Sequence, residues 1–142
     1  MPMKAHENIL VFYDKLPTYN PQKTTGHKPV SSYTKHQDDG SNYGETKVGI
    51  SGGGQTDRYP RSVQVFKTDK QKVSLHPTQK PVDLLEYLIK TYTNENETVL
   101  DFTFGSGSTG VACLNTNRKF VGVERDLEYF NIAKERIMGG EG

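Results

Sequence analysis

Hydrophobic positions are spread unevenly along this chain, and the contrast divides it into stretches of different character. Ile9-Leu10-Val11-Phe12-Tyr13 is a continuous apolar run, which predicts a short buried strand. From Asp14 to Lys47 the only aliphatic residues are Leu16 and Val30, set among Pro, Gly, Ser, Thr and Asn. Such a stretch buries too little surface to fold by itself and reads as long loops or partial disorder. Ser51-Gly52-Gly53-Gly54 prolongs it. In Ser62-Val63-Gln64-Val65-Phe66 the two valines alternate with polar neighbours, which predicts a second short strand.

Beyond His76 the apolar positions become dense and regular. Pro77 and Pro81 bracket Thr78-Gln79-Lys80, and Pro81 suits the first turn of a helix. Val82, Leu85, Leu88, Ile89 and Tyr92 recur at helical spacing and carry that helix to about Tyr92. Asn94-Glu95-Asn96-Glu97 predicts a turn, and Thr98-Val99-Leu100-Asp101 a short buried strand ending in an acid. Gly105-Ser106-Gly107 makes the next turn. A short helix from Ser108 to about Leu114 follows, with Val111, Ala112 and Leu114 inward. Lys119 to Val123 is another strand, closed by Glu124, and Asp126 is placed to cap a helix that buries Phe130, Ala133 and Ile137. Strand, Gly turn, helix, strand and helix make a right-handed βαβ crossover with a parallel pair, so the fold class is α/β.

Composition narrows the classes. With 142 residues, 32% of them apolar, and a mean hydropathy of -0.74, the chain is one domain, or one domain with a poorly packed appendage. No apolar run approaches the length of a transmembrane span, and the N-terminus lacks a secretion-signal pattern. The single Cys113 excludes an internal disulfide and suits a reducing cytoplasm. One Cys with scattered His6, His27, His36 and His76 leaves no metal-ligand spacing, so no metal is expected. The net charge of +1 conceals an asymmetry. Residues 15–72 hold ten Lys/Arg against five Asp/Glu, and residues 73–142 hold seven against ten. Tyr19, Tyr33, Tyr43 and Tyr59 lie among the basic residues, a mixture suited to phosphates and stacked bases. A solvated loop with ordinary surface lysines fits the same composition.

The Gly turn carries the chemistry. A parallel strand ending in such a turn places a ligand at its C-terminal edge, where glycine allows close approach and positive φ. Gly105, Gly107 and Gly110 spell G-x-G-x-x-G, which by itself fits a nicotinamide dinucleotide equally well. Glu124 ends the next strand, 23 residues after Asp101, where a carboxylate can accept both hydroxyls of a ribose. Asp101 separates the candidates. It would repel a pyrophosphate at the helix N-terminus, whereas it would attract the sulfonium and ammonium of S-adenosylmethionine. Plainer roles stand beside these: Asp101 as a cap of its own turn, Glu124 as a surface acid.

In these residues the chain resembles the DNA amino-methyltransferases, which methylate the exocyclic amine of adenine or cytosine. The likeness rests on His76-Pro77-Thr78-Gln79-Lys80-Pro81, on Val99-Leu100-Asp101, and on Gly105-Ser106-Gly107-Ser108-Thr109-Gly110. It continues through Arg118-Lys119-Phe120-Val121-Gly122-Val123-Glu124, Tyr129 and Arg136-Ile137. His6-Glu7-Asn8-Ile9-Leu10-Val11-Phe12 is similar to the strand before the DNA-recognition segment in the permuted subgroup, whose catalytic half comes first. The resemblance implies a partial Rossmann-like methyltransferase fold, with an incomplete parallel sheet, flanking helices and a loop-rich recognition segment. It divides the chain into a leading strand (1–13), a recognition segment (14–75) and an S-adenosylmethionine-binding βαβ region (76–142). Thr78, Gln79 and Lys80 would line the methionine side of the pocket, Asp101 would face the amino group, and Glu124 would hold the ribose. The backbone from Phe102 to Gly107 would curve around the cofactor, with Phe102 or Phe104 against its adenine or sulfonium. Ser106, Ser108, Thr109 and Arg125 complete the implied site. DNA would be met by Lys23, Lys28, Lys35, Lys47, Arg58 and Arg61. Where the family more often has Pro and Phe after the strand acid, this chain has Phe102 and Thr103, which leaves the Gly turn intact.

One family feature is missing. The chemistry rests on an Asp/Asn/Ser-Pro-Pro-aromatic tetrapeptide that holds the extruded base and orients its amine. No Pro-Pro occurs in this chain; the nearest fragment is Tyr59-Pro60-Arg61. The expectation is therefore the C-terminal portion of such an enzyme, with no catalytic residue of its own. The missing N-terminal sequence, a separate catalytic polypeptide or a second copy would complete the sheet. The other readings are a non-catalytic remnant or DNA- and cofactor-binding module and, more distantly, part of a nicotinamide-dependent oxidoreductase.

Overall fold

A computed structural model describes residues 6–34, 51–67 and 79–139. They fall into two compact units, one of Met1–Asn20 with Phe66–Gly142 and one of Pro21–Val65. The smaller unit holds two short strands, β1 (Tyr33–Thr34) and β2 (Ser51–Gly52). The larger unit begins its regular structure with helix α1, Val82–Tyr92. Pro81 (φ -59°, ψ 135°) stands just outside the helix at the N-cap, one place earlier than the first turn. Asp83 in the first turn and Lys90 in the last complement the helix dipole. Strand β3 (Thr98–Asp101), helix α2 (Ser108–Asn115), strand β4 (Lys119–Gly122) and helix α3 (Leu127–Met138) follow. β3 and β4 are parallel, with Thr98 opposite Lys119 and Asp101 opposite Gly122, which is the expected βαβ crossover.

The core explains why these segments assemble. Ile89 of α1 and Ala112 and Cys113 of α2 are buried together, with Val82, Leu85, Val99 and Phe120 packed around them. Phe104 meets Phe120 edge-on at 5.9 Å and Phe130 of α3 at 6.0 Å, tying the third helix to the same sheet face. Asp126 caps α3 as expected, its carboxylate accepting from Glu128 N and Tyr129 N. Asn96 and Asn117, both at positive φ, form the turns into the two strands, and Asn96 N donates to Asn117 O at 2.8 Å. The strands are not buried on both sides. Leu100 and its register partner Val121 are 61% and 50% exposed, so the helices cover only the face carrying Val99 and Phe120.

Polar clips that no hydrophobic pattern announces close this unit. Arg118 donates from Nε to Thr93 Oγ1 (3.1 Å), from Nη2 to Thr93 O (2.7 Å), and also to Thr116 O, fastening the ends of α1 and α2. Asn20 donates its backbone N–H to Thr91 O and its amide to Lys90 O and Thr93 O, satisfying carbonyls at the end of α1. Tyr19 packs on Tyr92, and Phe66 on Tyr87. These contacts place Tyr19, Asn20 and Phe66 in the larger unit.

Two expected strands are absent. Residues 9–13 and 62–66 pair with nothing among the described residues, and Phe12, Val63 and Val65 are 88%, 74% and 91% exposed. An apolar run becomes a strand only beside another strand that completes its hydrogen bonds, and none lies next to these. In the smaller unit, expected as loops, the described segments 24–34 and 51–58 pair as an irregular antiparallel ribbon. β1 pairs with β2, Gly54 N donates to Val30 O, His27 N to Thr56 O, and Thr24 and Arg58 exchange both backbone bonds. Its signal is backbone pairing without an apolar face.

A Cβ at Gly122 would lie 2.6 Å from Phe104 and 2.7 Å from Phe120, between rings already in contact. Gly122→Ala should therefore lower stability by about 1–3 kcal/mol, read from denaturant unfolding. An unchanged midpoint would contradict the packing. Cys113 is fully buried and its thiol is pushed up to about 11 by that burial. It should react with iodoacetamide at neutral pH only as fast as α2 opens, with full reactivity in urea; fast labelling of the native chain would count against a closed core.

Candidate functional site

The C-terminal ends of β3 and β4 converge on the Gly turn. Backbone pairing runs past both strands, since Val123 N donates to Asp101 O at 2.9 Å and Phe104 N to Val123 O at 3.3 Å. Asp101 accepts from Thr103 N at Oδ1 (3.0 Å) and from Thr109 Oγ1 at Oδ2 (2.6 Å). It thus braces both ends of its own turn. Glu124 accepts from Gly105 N at Oε2 and from Asp126 N at Oε1, both at 2.9 Å. One carboxylate therefore ties the tip of β4 to the turn after β3 and sets the approach to α3. The N–H of Asp126 first, then that of Gly105, holds the Glu124 carboxyl below its ordinary 4.5, with burial opposing.

Gly107 and Gly110 also have a packing role that their spacing does not announce. Gly107 has φ +81°, and a Cβ there would lie 2.9 Å from the Cβ and 3.1 Å from the Cα of Ala133 in α3. At Gly110 a Cβ would overlap Ile137. Helix α3 thus lies directly against the turn, and Arg136 fastens it there by donating to Ser106 O (3.2 Å) and Ser108 Oγ (3.1 Å). The sequence gives Arg136 no role beyond its place in the resemblance, because a contact to a carbonyl 30 residues away leaves no spacing signal.

The expected site residues separate as follows. Asp101, Gly105, Ser106, Gly107, Ser108, Thr109 and Glu124 are brought together by the bonds above; Ser106 and Ser108 are buried. Phe102 is 73% exposed at the turn, whereas Phe104 is turned inward against Phe120 and Phe130. Its ring belongs to the core, and only its backbone remains part of the turn. Arg125 is exposed between Glu124 and Asp126. Lys80 pairs with Glu7 at 2.6 Å, Gln79 precedes it, and Thr78 lies outside the described residues. An apolar cavity of about 180 Å³ between β4 and α3 is lined by Phe104, Phe120, Gly122, Phe130, Lys134, Ile137 and Met138. It shares only Phe104 with the expected residues, and neither Asp101 nor Glu124 lines it.

Of the expected DNA contacts, Lys23 is paired with Asp57 at 2.8 Å and lies 4.3 Å from the Tyr59 ring centre. Its hydrogen bond to Asp57 raises its pKa. Arg58 donates to three backbone carbonyls. Lys28 and Arg61 are exposed, and Lys35 and Lys47 fall outside the described residues. Among the described residues no three His, Cys, Asp or Glu gather as metal ligands, and no helix is long and apolar enough to cross a membrane.

The fold is thus of the α/β class, a parallel βαβ unit with a Gly turn and two engaged carboxylates at its strand tips. The family comparison is more particular: the DNA methylase family model (N6_N4_Mtase) matches residues 2–135, and the chain belongs to this family. The nicotinamide oxidoreductase reading falls away with that match. Type II methyltransferase M2.LlaDCHI of Lactococcus lactis subsp. cremoris is 43% identical over 74 residues, covering 52% of this chain and 28% of the relative. Type II methyltransferase M.BglII of Bacillus subtilis is 31% identical over 147 residues, covering 96% of this chain and 37% of the relative. The chain thus spans between about a quarter and two fifths of the length of these two relatives. The crystal structure of an M1.HpyAVI–SAM complex aligns at 30% identity and a TM-score of 0.44, covering 80% of this chain and 62% of the other.

Because the Glu124 carboxyl is lowered in the folded chain, its stabilising effect is complete above the ordinary Glu value and is lost as pH falls through the lower folded one. Glu124→Gln should accordingly flatten the acid limb of a melting-temperature profile recorded from neutral pH downward. Parallel profiles for the two proteins would contradict the anchoring role.

Proposed function

We propose that this chain carries the S-adenosylmethionine-binding and target-recognition portion of a DNA methyltransferase acting on the exocyclic amine of adenine or cytosine. The observation that carries the reading is the state of the two carboxylates. An ionised carboxylate offers about four acceptor positions. Two are used at Asp101, by Thr103 N and Thr109 Oγ1, and two at Glu124, by Gly105 N and Asp126 N, with the Arg125 N–H also directed at the second carboxylate. The bonds fix each group's orientation and leave acceptor capacity for a ligand. Asp101 suits an ammonium and Glu124 a pair of ribose hydroxyls, which fits the residues to this cofactor.

When bound, S-adenosylmethionine supplies an electrophilic methyl on its sulfonium. This chain's contribution is to hold and orient. Asp101 and Glu124 would fix the two ends of the molecule, the Phe102–Gly107 backbone would shape the floor, and the exposed Phe102 ring offers an apolar contact at the rim. Such positioning is a main source of rate in a transfer between two bound partners. The residues that grip the amine are supplied from outside residues 1–142, because no Pro-Pro-aromatic segment occurs here. Family relatives of greater length and the uncovered sheet face at Leu100 and Val121 support that division. Catalytic portion first and cofactor portion last is the order we infer.

Isothermal calorimetry tests the site. Asp101→Ala and Glu124→Ala should each weaken S-adenosylmethionine binding about tenfold to a hundredfold, the worth of a hydrogen bond to a charged group. Unchanged affinity in both, with melting curves showing folded protein, would remove the assignment. The chain alone should transfer no labelled methyl to duplex DNA; measurable transfer would refute the need for a second portion.

A further inference from the structure

We propose that the described cations of the 21–65 unit divide into two kinds. Lys23 and Arg58 hold its two chain segments together, while Lys28 and Arg61 are the pair that would meet the phosphates of a DNA duplex. This deepens the recognition reading above and rests on it.

Among the described residues every buried apolar side chain (Ile89, Phe104, Ala112, Cys113 and Ala133) belongs to the larger unit. The described segments of the smaller unit, 21–34 and 51–65, are therefore joined by backbone pairing and by polar side chains that bridge it. Arg58 is such a bridge. Its backbone pairs with Thr24, and its guanidinium reaches Lys28 O at 2.5 Å, Asp57 O at 2.8 Å and Gln55 O at 3.0 Å. The planar fork of donors suits several fixed carbonyls at once, and turning it toward a phosphate would break the bond to Lys28 O that joins the two segments. Lys23 is the second bridge, to Asp57 across 34 residues. Its charge is already answered by that carboxylate, so a phosphate approaching it would also meet Asp57.

Lys28 and Arg61 differ on both counts. Each is exposed, and neither forms an ion pair among the described residues. The main chain of each is nonetheless held: Lys28 through its carbonyl to Arg58, and Arg61 through its carbonyl to Gln64 Nε2 at 2.6 Å. Anchored backbone with an unpaired cationic side chain is what a phosphate contact requires. Arg58 is thus a positioning residue for Lys28.

The test is fluorescence anisotropy of the full chain with a mixed-sequence duplex of about 20 base pairs, two helical turns, across a series of salt concentrations. Lys28→Ala and Arg61→Ala should each reduce the slope of log affinity against log salt by about 0.9, the value for one phosphate no longer neutralised, with unchanged protease resistance of residues 21–65. Lys23→Ala and Asp57→Ala should act alike, both raising protease sensitivity of that unit. Arg58→Lys should do the same although it keeps the charge. The division is overturned if Lys28→Ala and Arg61→Ala leave the slope intact. It is also overturned if Lys23→Ala weakens and Asp57→Ala strengthens binding while the protease pattern stays constant, the signature of a phosphate-contacting lysine. Absence of salt-dependent duplex binding by the unaltered chain would instead overturn the recognition reading itself.

Discussion

The Glu124 carboxylate, accepting from Gly105 N and Asp126 N at 2.9 Å each, is the constraint on which the rest of the site depends. The strands end at Asp101 and Gly122, and beyond those points the ladder no longer dictates the path of the chain. One side chain takes over that task for the turn after β3 and for the start of α3. The bond places Gly105 beside Glu124, Asp101 braces the opposite side of the turn, and α3 is seated against Gly107. A carboxylate that organises its surroundings with two acceptor positions, and keeps others, joins fold to ligand chemistry in one group.

The same assembly is strongly one-sided. α1, α2 and α3 all reach the sheet face of Val99 and Phe120, and Leu100 and Val121 on the other face stand open. Parallel sheets occur almost only with both faces covered, because their crossovers place helices on the faces. A two-stranded parallel pair whose one face is bare among the described residues fits the proposed division between this portion and a second one. The short share of its relatives that this chain spans agrees with that physical expectation.

Periodicity and turn chemistry make the βαβ region legible: Val82 to Tyr92, Asp101, the Gly turn, Glu124 and the Asp126 cap all carry local signals that the structure follows. Segments whose conformation depends on neighbours are not legible in the same way. Ile9–Tyr13 has the composition of a strand, but no adjacent ladder among the described residues, and the ribbon of residues 24–34 and 51–58 pairs through backbone atoms that any side chain can accompany. Asn20, Arg58, Arg118 and Arg136 act on carbonyls distant in sequence, so their type alone does not reveal them. Spacing assigns the glycines to a ligand and does not announce the room that Gly107 and Gly110 also leave for a helix. The sequence leaves Phe104 undecided because inward and outward rings in one turn share the same composition.

That the turn between Asp101 and Thr109 together with Glu124 forms an S-adenosylmethionine site is tested most directly by nuclear magnetic resonance. The isotopically labelled chain would be titrated with the cofactor while its backbone amides are followed. Shifts should concentrate at residues 101–109 and 124–126 and be largest at Gly105, whose N–H reports directly on the Glu124 carboxylate. Shifts confined to other parts of the chain, or none at saturating cofactor, would contradict the assignment.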